Sequence, residues 1–520
     1  MKHAVALPAL LLLATLAAGC ARRPAPPPVP TGVDVQRYEM EARLEPQARR
    51  LEARVRIVVH HADTVTRLPL TLSGMEVGRV TVDGAPVAAV RTGAQLVVPL
   101  APGREASIVE IGYAGVPPEG LYRGEHAGQT VVYTDSWPDR VRGWMPGVHH
   151  PSDPAAFSLT LDVPQGYEAV ASGAPPGAAG AWEEAGAWRR YRWRLDVPAP
   201  TYTYAFAVAD FSLTETTLGD TLPVRYYMLA ADSVLAGELG RTPQMIAYFS
   251  ELVGPYPFAQ YASVQVPFAF AGMENASASF LQARLFGRGG AEETQAHEVA
   301  HQWFGDRVVV AGWRDLWLSE GFATYLTTLF YEHADGVEDA RQRWVAMAEV
   351  TPARLASHHA LVPEPPVDPN DHLTWVPYQK GGSVLHLLRL RLGDEAFFAA
   401  VRETYRRYAG RALSTEAFRD LLESAGGADL GDVFDFWVYG HRLPRLDATW
   451  DASARRLRWN VRDDAGTLRD VPFLLQVRQG PRVTYLPAAG REAALDGWDE
   501  EAPDVRPVGI MLVRGPVREE

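Results

Sequence analysis

The sequence predicts a multidomain fold: an N-terminal all-β domain over residues 32–215, a mostly helical α+β domain over 216–441 and a small C-terminal β-sandwich over 442–520. Three observations predict it. Up to about residue 211, apolar and polar residues alternate with the two-residue period of half-buried strands. From residue 232 the apolar spacing becomes helical. Past residue 442, short strand-like runs separated by turns return, over about 80 residues, an ordinary domain size. The chain of 520 residues, 47% hydrophobic and 22% charged, has the composition of a globular protein.

Residues 1–19 carry Lys2 and then an apolar run, 4–18. That run is too short to span a bilayer and reads as an export signal. Leu16-Ala17-Ala18-Gly19-Cys20 resembles a bacterial lipobox. The resemblance implies that Cys20 becomes a lipidated N-terminus holding an exported protein to a membrane. Ala21 is not the aspartate associated with inner-membrane retention, which points to the outer membrane in a Gram-negative source. Cys20 is the only cysteine, so no disulfide forms within the chain. Residues 21–31 are proline-rich and form an extended, semi-rigid tether.

Strands are expected at 51–60, 96–100, 157–163 and 202–211, between Gly and Pro turns. Helices are expected at 232–252, 293–304, 318–333, 340–350, 382–392, 395–408 and 415–424, with one strand at 263–270 ending at Ala271-Gly272. The net charge of −13 argues against nucleic acid as a partner, because phosphate binding needs a basic face.

The chemistry is concentrated in His297-Glu298-Val299-Ala300-His301. Residues four apart share a helix face, so both imidazoles can reach one ion, with Glu298 beside them. Two histidines and a later carboxylate form a catalytic zinc set that leaves a position for water. The candidate third ligand is Glu320, with 18 residues between it and His301, in the first turn of the next helix. Amide hydrolysis then needs a base, and Glu298 is placed to take the proton of the metal-activated water and return it to the leaving amine.

The extended motif, His297 to Asp306 with the spaced Glu320 and the earlier Gly272-Met273-Glu274-Asn275, resembles the aminopeptidase N family of gluzincins, relatives of leukotriene hydrolase. Tyr378-Gln379-Lys380-Gly381-Gly382 extends the likeness. The resemblance implies a thermolysin-like catalytic domain, one zinc per chain and peptide substrates with a free N-terminus. It implies that Tyr378 donates to the oxyanion. Gly272, Met273, Glu274 and Asn275 bind substrate, with Glu274 holding the α-ammonium by a charge-assisted hydrogen bond. The edge strand carrying Glu274 can also pair with the substrate backbone. The large helical domain that many members add is not expected in the residues after Arg442.

One segment departs from the family. Where a Gln-x-Glu segment usually supplies a second carboxylate for the amine, this chain has Asp135-Ser136-Trp137 before Pro138. Asp135 is a candidate replacement for the missing charge. Two other readings stay open: a zinc endopeptidase with relaxed N-terminal recognition, and a non-catalytic surface-binding homologue. The pairs His60-His61, His149-His150 and His358-His359 read as surface or core residues. Trp303, Trp313 and Trp317 read as core packing. Asp306 and Asp315 are candidates either for orienting the ligand histidines or for ordinary caps.

Overall fold

Strand pairing begins with Val33–Glu45, whose side chains alternate between the core and solvent. It pairs antiparallel with Arg50–His61 and parallel with Ala155–Pro164, inside an eight-stranded sheet. The buried side of that sheet carries Tyr38, Leu44, Leu51, Val55, Ile57, Phe157 and Leu159. Tyr204 stacks on Phe157, with centroids 4.4 Å apart, and its hydroxyl donates to the Ala155 carbonyl at 2.6 Å. The computed structural model describes residues 31–177, 182–219, 221–365, 368–463 and 473–519. The export signal, Cys20 and all of the tether except Thr31 lie outside the described residues.

The described residues fold as two compact units. The first runs up to Glu251 and adds 255–312 and 408–412; the second holds 252–254, 313–407 and 413–520. The all-β region and a five-stranded sheet therefore belong to the first unit. In that sheet Tyr261–Val266 is buried on both faces and runs parallel to Leu222–Leu229 and Ala278–Gln282. A continuous apolar run is what a covered parallel strand requires. Gly272–Met273 forms the edge, antiparallel to Ala278–Gln282. Helix α1, Thr242–Leu252, and helix α2, Ala291–Ala300, also lie in this unit.

The second unit is built on helix α3, Trp317–Asp335, which buries Trp317, Phe322, Tyr325 and Phe330. Helix α4, Gly381–Leu392, packs beside it. Two small C-terminal sheets make the sandwich, one around the Arg445–Asp451 and Arg456–Arg462 hairpin and one around Leu474–Gln479. The Ser383 hydroxyl ties them to α4, donating to the Gly509 carbonyl at 2.8 Å and accepting from the Met511 N–H at 3.2 Å. Among the described residues no helix is long and apolar enough to cross a membrane.

Two expected elements are broken. Residues 202–211 are a 3-10 turn, Thr201–Thr203, followed by the strand Phe206–Ala209. Pro200 sets the turn and the Thr203 hydroxyl donates back to its carbonyl at 2.9 Å. The expected helix at 232–252 is a 3-10 segment, Ala230–Leu239, then α1, interrupted at Gly240. A glycine there makes interruption inexpensive.

Asp153 gives the first unit a pH dependence. It is 5% exposed and accepts only a long 3.3 Å bond from the Val35 N–H. Burial pushes its carboxyl up to about 7, against the weaker opposing pull of that N–H and with Asp34 adding to the rise. The folded chain therefore keeps the proton that the unfolded chain has already lost. The contribution of Asp153 to stability falls between about pH 4 and pH 7 and is level above that range. Asp153→Asn is expected to stabilise the protein by about 1–4 kcal/mol at pH 8 and to change little at pH 4. Urea midpoints at the two pH values check this; an equal loss at both would contradict it.

Candidate active site

Helix α2 carries the histidine motif. Glu292 and Glu293 in its first turn suit the positive end of the helix dipole. His297 and His301 fall on one face, with their Nε2 atoms 3.0 Å apart. His301 is buried, and its Nδ1 contacts the Phe304 carbonyl at 3.1 Å. A carbonyl only accepts, so Nδ1 carries the proton and the Nε2 lone pair points to the shared space. Two nitrogens bound tetrahedrally to zinc at 2.0–2.1 Å lie about 3.3 Å apart, so the pair fits a zinc ion.

Glu298, Glu274 and His301 are buried and bring ligand-type atoms within 4.8 Å of one another. The edge strand that delivers Glu274 runs against α2. A Cβ on Gly272 would strike the Glu298 carboxylate and come within 2.8 Å of the Thr294 methyl. Glycine there lets the edge strand lie against the two side chains without displacing them. Gln302 then clamps the two segments. Its amide donates to the Glu274 carbonyl at 3.1 Å and the Glu298 carbonyl at 3.3 Å, and its oxygen accepts from the Ser277 N–H at 2.8 Å. Met273 and Asn275 are buried beside Glu274. Sequence reasoning assigned Gln302 no role; its position directly after His301 was the available signal.

The second unit holds the other two expected residues. Glu320 is 5% exposed in the first turn of α3, as the spacing predicts. Tyr378 is half-buried in the short π turn Val376–Lys380 that leads into α4. Gly321 and Gly381 let α3 and α4 approach so closely that a Cβ on Gly381 would lie 2.9 Å from the Gly321 Cα.

The remaining candidates resolve into structural parts. The Asp135 carboxylate is buried, and Arg140 donates to one of its oxygens at 2.5 Å, which offsets its charge. Trp137 is 5% exposed. Asp315 accepts from the Thr415 N–H at 3.0 Å and hydroxyl at 2.7 Å, which makes it a cap for the helix that begins there. Asp306 is not the Nδ1 partner of His301; burial, with Glu274 adding, pushes its carboxyl well above the usual range. Trp303 packs on Phe249 and Tyr256 in the core. Burial pushes His149 down to about 3, between Thr201 and the Met145 carbonyl.

This fold and histidine helix define a zinc metallopeptidase. Residues 238–437 match the Peptidase family M1 domain. An M1 zinc metallopeptidase from Deinococcus radiodurans is 30% identical, with a TM-score of 0.69, over 79% of this chain and 95% of that one. A variant from Deinococcus radiodurans bound to a Tyr-Ser-Ala substrate is 29% identical, with a TM-score of 0.70, over 80% and 96% of the two chains. A two-domain M1 zinc metallopeptidase variant bound to L-tryptophan is 30% identical with a TM-score of 0.70, and 96% of it is covered. The chain belongs to the M1 family of zinc metallopeptidases. Human aminopeptidase B is 28% identical over 56% of this chain, and pig glutamyl aminopeptidase 26% identical over 63%. The matches take in only 45% and 37% of those longer proteins. Native yeast LTA4 hydrolase, 20% identical with a TM-score of 0.69, shares the fold.

Proposed function

We propose that the chain is a zinc aminopeptidase that removes the first residue from peptides with a free N-terminus. His297, His301 and Glu320 hold the zinc. When bound, zinc supplies a Lewis acid for the scissile carbonyl and lowers the pKa of water to about 7. Glu298 accepts the water's proton and passes it to the leaving amine. The Tyr378 hydroxyl donates to the developing oxyanion. Glu274 accepts from the substrate α-ammonium, and the Gly272–Met273 edge offers backbone groups to the substrate chain.

The observation that carries the reading is the buried Glu274 held beside Glu298 and His301. A carboxylate fixed that near the reacting water sets the distance from the amine to the bond cut. That M1 neighbours bind L-tryptophan and a Tyr-Ser-Ala substrate supports a peptide as the substrate class. Arg140 offsets the charge of Asp135, which leaves Glu274 the main carboxylate for the amine among the candidates the sequence offered.

Metal removal tests the proposal. Hydrolysis of aminoacyl-fluorophores is expected to stop with a zinc chelator and return with one zinc per chain. Activity indifferent to the chelator would overturn it. We further propose that Cys20 is lipidated and anchors the exported protein to a bacterial membrane, as the lipobox resemblance implies. Detergent-phase partitioning that persists in Cys20→Ser would refute the anchor.

A further inference from the structure

Lys380 is fully buried. Its ammonium donates to two backbone carbonyls, His359 at 3.2 Å and Gly440 at 3.3 Å. Among the described residues no carboxylate lies within ion-pair distance of it. The titratable groups around it are His358 and His359, which feel its charge, and His441 beside them. An ammonium buried without a counter-ion is costly, and burial pushes Lys380 down to about 7. Methionine would fill similar space without that cost, though it would leave the His359 and Gly440 carbonyls without this donor, so a net gain in stability does not by itself account for lysine here.

Geometry does. The two loops that receive Lys380 are themselves tied together. The Leu361 N–H donates to the Val438 carbonyl at 2.8 Å, and His358 Nδ1 meets the His441 carbonyl at 3.0 Å. The turn carrying Tyr378 is pinned to this platform at both ends. Before it, the Trp375 indole donates to the Ser357 hydroxyl at 3.0 Å. At its last residue, Lys380 reaches across to both loops. Immediately beyond, Gly381 sits on Gly321, the neighbour of Glu320. The π turn Val376–Lys380 is a one-turn departure from regular helix, of a kind frequent at functional sites, and these bonds fix it to the two loops.

We infer that Lys380 is a positioning residue that holds the Tyr378 hydroxyl in register for the reaction. The inference rests on the reading of Tyr378 as the oxyanion donor. A double-mutant cycle on the full chain tests both. Lys380→Met is expected to lower kcat about 30-fold, with KM within about 3-fold, one zinc still bound per chain and Tm unchanged or raised. In a Tyr378→Phe background the same substitution is expected to cost less than about 3-fold, because the group it positions is already gone. Equal losses in both backgrounds, no loss in either, or a loss that tracks zinc content would overturn the inference. If Tyr378→Phe alone leaves kcat unchanged, the reading of Tyr378 fails first and the inference falls with it. Should Lys380→Met not fold, Lys380→Gln carries the same test, with the same non-additivity expected.

Discussion

Glu298→Gln is expected to lower kcat by about 10³-fold or more while one zinc stays bound per chain. General acid–base groups contribute about 10²–10⁴-fold, and Glu298 serves both the attack and the departure of the amine. Glutamine keeps the shape that packs against Gly272, so α2 and the edge strand stay in place. KM is expected to move little, since Glu298 acts on water and not on the bound peptide. Steady-state kinetics with metal analysis check this. A fall of less than about 10-fold would remove Glu298 from the role of base. The non-catalytic reading fails with any measurable turnover that Glu298→Gln abolishes.

Tyr378→Phe is expected to cost about 10²-fold in kcat with KM nearly unchanged. Removing one donor to an oxyanion leaves ground-state binding intact, because that charge develops only as the bond is attacked. A large rise in KM at constant kcat would mean that Tyr378 binds substrate and does not stabilise the transition state.

Much of this site is legible from short-range pattern. The i,i+4 spacing puts His297 and His301 on one helix face, and their nitrogens are 3.0 Å apart. Most helix boundaries in the second unit follow the apolar period closely, as in Trp317–Asp335 for the expected 318–333. Glu274 and Tyr378 were reached through resemblance, since a lone carboxylate or tyrosine has no periodic signature.

What stayed hidden depends on contacts distant in sequence. Asp135 looked available until Arg140 was seen beside it. Gln302 was a letter in a motif until the fold placed it between Glu274 and Ser277. Lys380 reads as a surface residue by type, yet tertiary packing buries it. The breaks after Pro200 and at Gly240 fall in stretches whose apolar periodicity reads as continuous in the sequence. The division into units follows packing, so residues 255–312 join the first unit although the helical pattern begins before them.

The measurement that tests the central claim most directly is mass spectrometry of one peptide in two forms, free and N-acetylated, after digestion with the zinc-loaded protein. The account predicts that only the free form is shortened, one residue at a time from its N-terminus, and that Glu274→Gln weakens that preference. Equal cleavage of both forms, or internal fragments from the acetylated one, would contradict an aminopeptidase and support an endopeptidase with relaxed amine recognition.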